Sequence, residues 1–212
     1  MHYPVLYLQD GQNLFNPDAP FGNWEIDRSL ERMASEGKHN LIIVAVDHGE
    51  EKRLQEYMPY KDHPRFGDGE GEDYIAFIVD DLMPEINKKY RTLTDKENTG
   101  IGGSSMGGLI SLYAAFTRPE VFGKLMIFSP SIWLSQEIYD LAKKFVPQNN
   151  RMYCYAGGRE SWTHLRNVRR MVQVLQNKKH LELEFSVRLW ARHSENYWKE
   201  EFPKAIDWLY FT

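Results

Sequence analysis

Residues 99–110 read TGIGGSSMGGLI, a short apolar stretch that meets a cluster of glycines and runs at once into a helix-forming segment. Joining a strand to a helix with no loop between them makes a severe demand on the backbone. The chain must reverse direction within about one residue, and the positions flanking that residue must be small enough for strand and helix to approach. Gly103 and Gly107 stand two before and two after Ser105, and Gly102 and Gly108 relieve the crowding further. The pattern is G-x-S-x-G, in which a strained serine presents its hydroxyl clear of its neighbours. A glycine-rich βα turn without chemistry fits the same five residues, so the choice rests on the rest of the chain.

That rest alternates strand and helix signals. Short apolar strands are expected over residues 5–8, 99–102, 124–128 and 151–156. The run Leu41-Ile42-Ile43-Val44-Ala45-Val46 is apolar throughout, as in a parallel strand buried on both faces. Residues 181–189 alternate apolar and polar, which suits a half-exposed strand at a sheet edge. Helical spacing of apolar residues predicts helices over 24–33, 74–90, 106–116, 165–175 and 196–209, with another near 137–145. Residues 47–73 are rich in charge, Gly and Pro and read as a long surface loop. The alternation argues a mostly parallel, doubly wound α/β sheet of about six strands in one domain covering 1–212.

Composition narrows the partners. The net charge is −4, and the mild cluster Arg166, Arg169 and Arg170 falls at the spacing of one solvated helix face, so nucleic acid is not expected. No window has the length of a membrane helix, and the opening residues show no basic segment followed by a long apolar one. The single cysteine, Cys154, sits in an apolar run, which excludes an internal disulfide and fits a reducing, cytoplasmic compartment. Neither the phosphate-loop lysine, the third dinucleotide-loop glycine, an H-E-x-x-H nor a zinc-spaced Cys pair is present, so no cofactor or metal is expected. Aromatics reach 14%, enough to line a pocket or to fill a bulky core.

In open α/β sheets ligands bind beyond the carboxyl ends of the strands. Three such ends carry the parts a serine nucleophile needs. Ser105 follows one strand, Glu160 in Gly157-Gly158-Arg159-Glu160 follows another, and His193 follows the last. A hydroxyl requires a base to take its proton, and a histidine base requires an acceptor on its other nitrogen. The chain order Ser, acid, His is that of α/β-hydrolases. Asp140 and Asp207 compete as the acid but fall within predicted helices. Of the other histidines, His48, His164 and His180 lack the position after the final strand, and His2, His39 and His63 precede the elbow.

With these residues in place, a resemblance covers nearly the whole chain. The segment Tyr3-Pro4-Val5-Leu6-Tyr7-Leu8-Gln9-Asp10-Gly11-Gln12-Asn13-Leu14-Phe15, the run RLQEYMP from Arg53 to Pro59, and Tyr90-Arg91-Thr92 carry it. So do the elbow, Phe128-Ser129-Pro130 with Trp133, and His193-Ser194-Glu195 followed by Trp198. Together they resemble the putative esterase family of α/β-hydrolases, the esterase D-like branch that includes enterochelin esterases, feruloyl esterases and mycolyltransferases. The resemblance implies Ser105 as nucleophile, His193 as base and an acid near Glu160. It also implies an oxyanion hole built from the Met106 amide and an amide of the Gly11-Gln12 turn. Trp24, Trp133 and Trp162 fall in loops or turns on the same side and are candidates for a substrate-pocket wall, with core as the alternative.

One departure stands out. Members of the family carry about two strands before the Tyr-Pro-Val-Leu-Tyr segment, and here they are missing. The strand Leu41 to Val46 should therefore expose an apolar edge, a liability that invites a covering loop or a second copy of the chain, or that marks a truncated chain. The expected activity is hydrolysis of small acyl, aryl or siderophore-type esters. Acyl transfer by the same triad, or a non-catalytic binding protein of the same fold, is the alternative.

Overall fold

The computed structural model describes residues 1–38, 40–61, 63 and 67–212. His39 and residues 62 and 64–66 of the long loop lie outside the described residues. Six strands form one sheet: β1 (Val5–Gln9), β2 (Ile42–Val46), β3 (Thr99–Ser104), β4 (Lys124–Phe128), β5 (Asn150–Gly157) and β6 (Leu181–Arg188). Their order is β2-β1-β3-β4-β5-β6 and every pairing is parallel.

The side-chain alternation of the strands builds two cores. Val5, Tyr7, Leu125, Ile127, Met152 and Cys154 point to one face, where they pack with Tyr74, Leu109, Ile138 and Val168. Leu6, Leu8, Met126, Phe128, Tyr153 and Tyr155 point to the other, against Ile26, Met33, Trp198 and Phe202. Residues two apart share a face, so a run apolar at every position must be covered on both sides. Helices α1 (Ile26–Ser35) and α8 (Glu195–Ile206) cover the second face. The first face carries α3 (Gly71–Ala76), α5 (Ser105–Thr117), α6 (Glu137–Lys144) and α7 (Trp162–Leu175). Short helices α2 (Arg53–Glu56) and α4 (Met83–Lys89) complete the described helices of α type. Burial of the Cys154 thiol pushes its pKa up to about 12, as suits a small core hydrophobe.

Several sequence expectations need adjustment. The helix expected over 24–33 begins only at Ile26, because Glu25 takes a left-handed backbone (φ 47°) and holds Trp24 outside it. The helix expected over 74–90 starts at Gly71 and widens into a π-helical stretch, Phe77–Leu82, before α4. Likewise α8 stops at Ile206 and continues as a π-helical turn, Asp207–Phe211. The loop over 47–73 contains α2 as well as a 3-10 turn, Glu50–Lys52. The larger correction concerns β2. Its apolar run suggested burial on both faces, yet four of its five residues are only partly buried. The strand contacts both cores but pairs with β1 alone among the described residues, which leaves one edge without a strand neighbour.

Candidate active site

The elbow is built by steric necessity. Ser104 is extended, and Ser105, the first residue of α5, turns to a left-handed φ of 56°. A Cβ on Gly103 would stand 2.9 Å from the Gly107 carbonyl carbon. One on Gly107 would stand 2.9 Å from both Asp10 Oδ2 and Gln9 Cβ. Nothing larger than hydrogen fits at either position while β3, α5 and the end of β1 keep their approach. A serine held at positive φ costs on the order of 1–3 kcal/mol, and such strain persists only where the surroundings impose it. Ser105 also has its carbonyl tied to the Ser131 amide at 2.9 Å, and its hydroxyl lies 3.3 Å from the Ser131 hydroxyl.

Glu160 is fixed from the opposite side. Glu160 follows β5, and its carboxylate is 1% exposed. Oε1 accepts from the Gly157 amide at 2.6 Å and from the Ser129 hydroxyl at 2.5 Å, while the Ser129 oxygen accepts from Trp198 Nε1 at 3.0 Å. Oε2 lies 2.8 Å from His193 Nδ1. Burial raises the Glu160 pKa, but the nearby His164 and His193 imidazoles and the Ser129 hydroxyl outweigh it and bring the value to about 2. His193 itself is half-exposed after β6, with its ring edge-on to Trp198 at a centroid distance of 4.8 Å. Neither competing acid reaches this place. Asp140 is paired with Lys143 at 2.8 Å and Asp207 with Lys38 at 2.5 Å, both at exposed positions.

Two clefts meet at Ser105 and His193. The larger, of about 540 Å³, is lined by Asp10, Trp24, Arg53 and Glu195 among others. The smaller, of about 330 Å³, is lined by Ser131, Trp133, Glu160 and His164. In the larger cleft the Arg53 guanidinium grips Asp10 with two hydrogen bonds, 2.6 and 3.0 Å, and the Tyr57 hydroxyl accepts from the Asp10 amide at 3.0 Å. Burial lowers the Arg53 pKa, but the Asp10 carboxylate more than offsets it and the net shift is upward. Burial also raises the pKa of Glu195.

None of the three expected oxyanion residues, Met106, Gly11 and Gln12, is among the residues lining either cleft. Met106 is in the first turn of α5, where backbone N–H groups have no intrahelical acceptor. Gly11 and Gln12 occupy the 3-10 turn Gly11–Asn13 directly after β1, the strand paired with β3. Their side of the turn is not part of either cleft lining, and the Gln12 side chain instead clasps the His48 backbone at 2.9 and 3.3 Å.

The three tryptophans separate. Trp24 is 3% exposed and stacks on Phe128 at 5.7 Å while still facing the larger cleft, so it is core and pocket wall together. Trp133 is half-exposed on the smaller cleft. Trp162, 84% exposed at the start of α7, lines neither. The sequence also gave no weight to three residues that the fold brings in. Arg53 and Ser129 lay within the quoted motifs without a role. His164 was set aside because it does not follow the final strand, yet its ring is buried against Glu160.

The arrangement offers a strained hydroxyl, a neighbouring imidazole and a carboxylate on the far nitrogen of that imidazole. Comparison with known proteins agrees with this reading of the fold. The chain is 27% identical over 223 residues to the uncharacterized protein YbbA of Bacillus subtilis, covering 98% of this chain and 86% of that one. It is 37% identical over 147 residues to the ferri-bacillibactin esterase BesA of the same organism, covering 61% of this chain and 48% of BesA. The chain thus spans about half the length of the siderophore-esterase relative BesA. Among solved structures, the BES protein from Bacillus cereus superposes with a TM-score of 0.83 at 22% identity, covering 100% of this chain and 84% of that one. The enterochelin esterase from Shigella flexneri does so with 0.79 at 19% identity, covering 100% of this chain and 52% of the other. A family model described as "Putative esterase" matches residues 1–209, so this α/β-hydrolase-fold chain belongs to that esterase family.

Proposed function

We propose that this chain is a serine carboxylic ester hydrolase that works through an acyl-enzyme, with Ser105 as nucleophile, His193 as base and Glu160 as the group that orients the base. Family membership and the siderophore-esterase relatives support ester hydrolysis as the reaction class. The observation that carries the residue assignment is the 2.8 Å contact between Glu160 and His193 Nδ1, beside a serine at positive φ that borders the same two clefts.

In this mechanism Glu160 holds His193 with its proton on Nδ1, so that Nε2 is free to take the Ser105 proton as Oγ attacks the ester carbonyl. The imidazolium then protonates the leaving alcohol, and water, deprotonated by the same nitrogen, releases the acid and regenerates Ser105. The Met106 amide and an amide of the Gly11-Gln12 turn would receive the negative charge that builds on the carbonyl oxygen, a contribution of about 3 kcal/mol per donor. Ser105 Oγ lies near Ser131 rather than hydrogen-bonded to His193, and such contacts commonly tighten only when substrate is bound. The aromatic wall formed by Trp24 and the Arg53–Asp10 pair suits aryl or siderophore-type esters. Turnover of p-nitrophenyl acetate by the wild type and by Ser105→Ala tests the assignment. The expected result is loss of at least about 10⁴-fold in kcat. Activity that survives the substitution removes Ser105 from the mechanism.

A further inference from the structure

The smaller cleft holds a cluster that the hydrolytic mechanism does not need in full. Glu160, His164 and His193 each present a ligand atom, and these atoms lie within 4.8 Å of one another. His164 sits in the first turn of α7, after the Ser161 hydroxyl that accepts from its amide at 3.0 Å. Its side chain is 7% exposed, and Nε2 stands 3.0 Å from Glu160 Oε2, the oxygen that also faces His193. Despite that distance Nε2 makes no hydrogen bond and is sealed from solvent. A buried imidazole nitrogen that faces a carboxylate at ion-pair distance without hydrogen-bond geometry, with a second imidazole beside it, is an under-satisfied polar group that a cation between them would engage.

We propose that Glu160 Oε2, His164 Nε2 and His193 Nδ1 form an inhibitory site for a borderline divalent transition metal such as zinc. Two imidazoles and one carboxylate make a three-ligand set that suits zinc and leaves a fourth position open. Bonds of about 2.0–2.1 Å in tetrahedral geometry separate neighbouring ligand atoms by roughly 3.3 Å. The two carboxylate–imidazole separations of 2.8 and 3.0 Å need open by only a few tenths of an ångström, while the two imidazole nitrogens, within 4.8 Å of each other, must draw closer. His193 is the partner able to give way, since its side chain is 37% exposed, whereas Glu160 stays anchored through Oε1. The cleft formed by Ser105, Ser131, Trp133 and Ser161 supplies the entrance and the fourth position.

Occupation would stop the base by simple proton accounting. Neutral His193 carries one ring proton, and in the hydrolytic state it sits on Nδ1, facing Glu160. A metal on Nδ1 moves that proton to Nε2, the nitrogen that must be empty to receive the Ser105 proton. The consequence rests on the serine-hydrolase reading, but the binding itself does not.

Cobalt titration of the folded Ser105→Ala protein, followed by visible d–d absorption, tests binding alone. One equivalent should give a saturable low-coordinate spectrum, and both His164→Phe and His164→Gln should weaken it by about 100-fold or more, with circular dichroism reporting that each variant is folded. A spectrum that never saturates, or equal affinity in all three proteins, overturns the site. In parallel, a fluorophosphonate probe should label wild-type Ser105 more slowly with zinc and recover its rate when EDTA is added. Labelling indifferent to zinc overturns the inhibitory role. Absence of labelling without any metal would count against the hydrolase reading instead, and the cobalt result would stand apart from it.

Discussion

The proposed nucleophile and the proposed acid–base pair border one cleft, but they are held by different kinds of force. Ser105 is placed by backbone sterics within a dozen residues. Gly103 and Gly107 leave no room for a Cβ, and the chain reaches helical geometry only by passing through positive φ. Glu160 and His193 are placed by hydrogen bonds between segments far apart in the chain. Trp198 from α8 donates to Ser129 after β4, Ser129 donates to Glu160 after β5, and Glu160 faces His193 after β6. The first half resists distortion because atoms already touch. The second depends on charge and on every link being present.

The contrast can be broken most forcefully on the acid side without touching the elbow. Glu160→Gln keeps the shape but can no longer hold the required tautomer of His193, and kcat should fall by about 10²–10⁴-fold with little change in KM. A near-normal rate would transfer the orienting role to another group. On the elbow side, Gly107→Ala drives a methyl into Gln9 and Asp10. Overpacking of this kind costs about 1–3 kcal/mol, so urea denaturation should report lower stability, together with reduced turnover. Unchanged stability would mean that β1 and α5 can move apart.

Acid should separate the two halves as well. The Glu160 pKa of about 2 lies below its ordinary value of 4.5, so the ionised group stabilises the native state above about pH 4.5. That contribution is lost as the pH falls toward 2, because the unfolded state takes up the proton first. Stability should therefore decline across this window in the wild type and less steeply in Glu160→Gln; parallel curves would contradict the shift. The smallest effect is expected at the rim. Trp162→Ala should leave kcat/KM within about twofold, as for an exposed surface residue, whereas Trp133→Ala should raise KM for aryl esters. A large loss at Trp162 would show that it closes over the substrate.

Legibility in the sequence follows the same division. The elbow was readable because its constraint is local: a serine between glycines at fixed spacing encodes its own turn. The strands β1, β4 and β5 were readable because they are covered on both faces and therefore largely apolar, and β3, with only Ile101 as a large apolar residue, because it runs directly into the elbow. For β2 the same signal overstated burial on both faces, although the family resemblance had already placed this strand at an open edge. The positions of Glu160 and His193 could be inferred from chain order and strand ends. The role of His164 could not, because α7 begins between it and Glu160, so the four-residue spacing does not place the two side chains on one helix face. Trp24, Trp133 and Trp162 have the same chemistry in the sequence, and only their packing distinguishes floor, wall and free surface.

The amino-acid order by itself determined the alternation of strand and helix, the strained serine and the candidate partners, because period, glycine spacing and turn chemistry act over a few residues. Tertiary structure alone decided which carboxylate meets which imidazole, that a second histidine is buried beside them, and that Arg53 clamps Asp10 at the mouth of the larger cleft. Those outcomes depend on where parallel strands bring their carboxyl ends together, and contacts of that kind join residues dozens of positions apart.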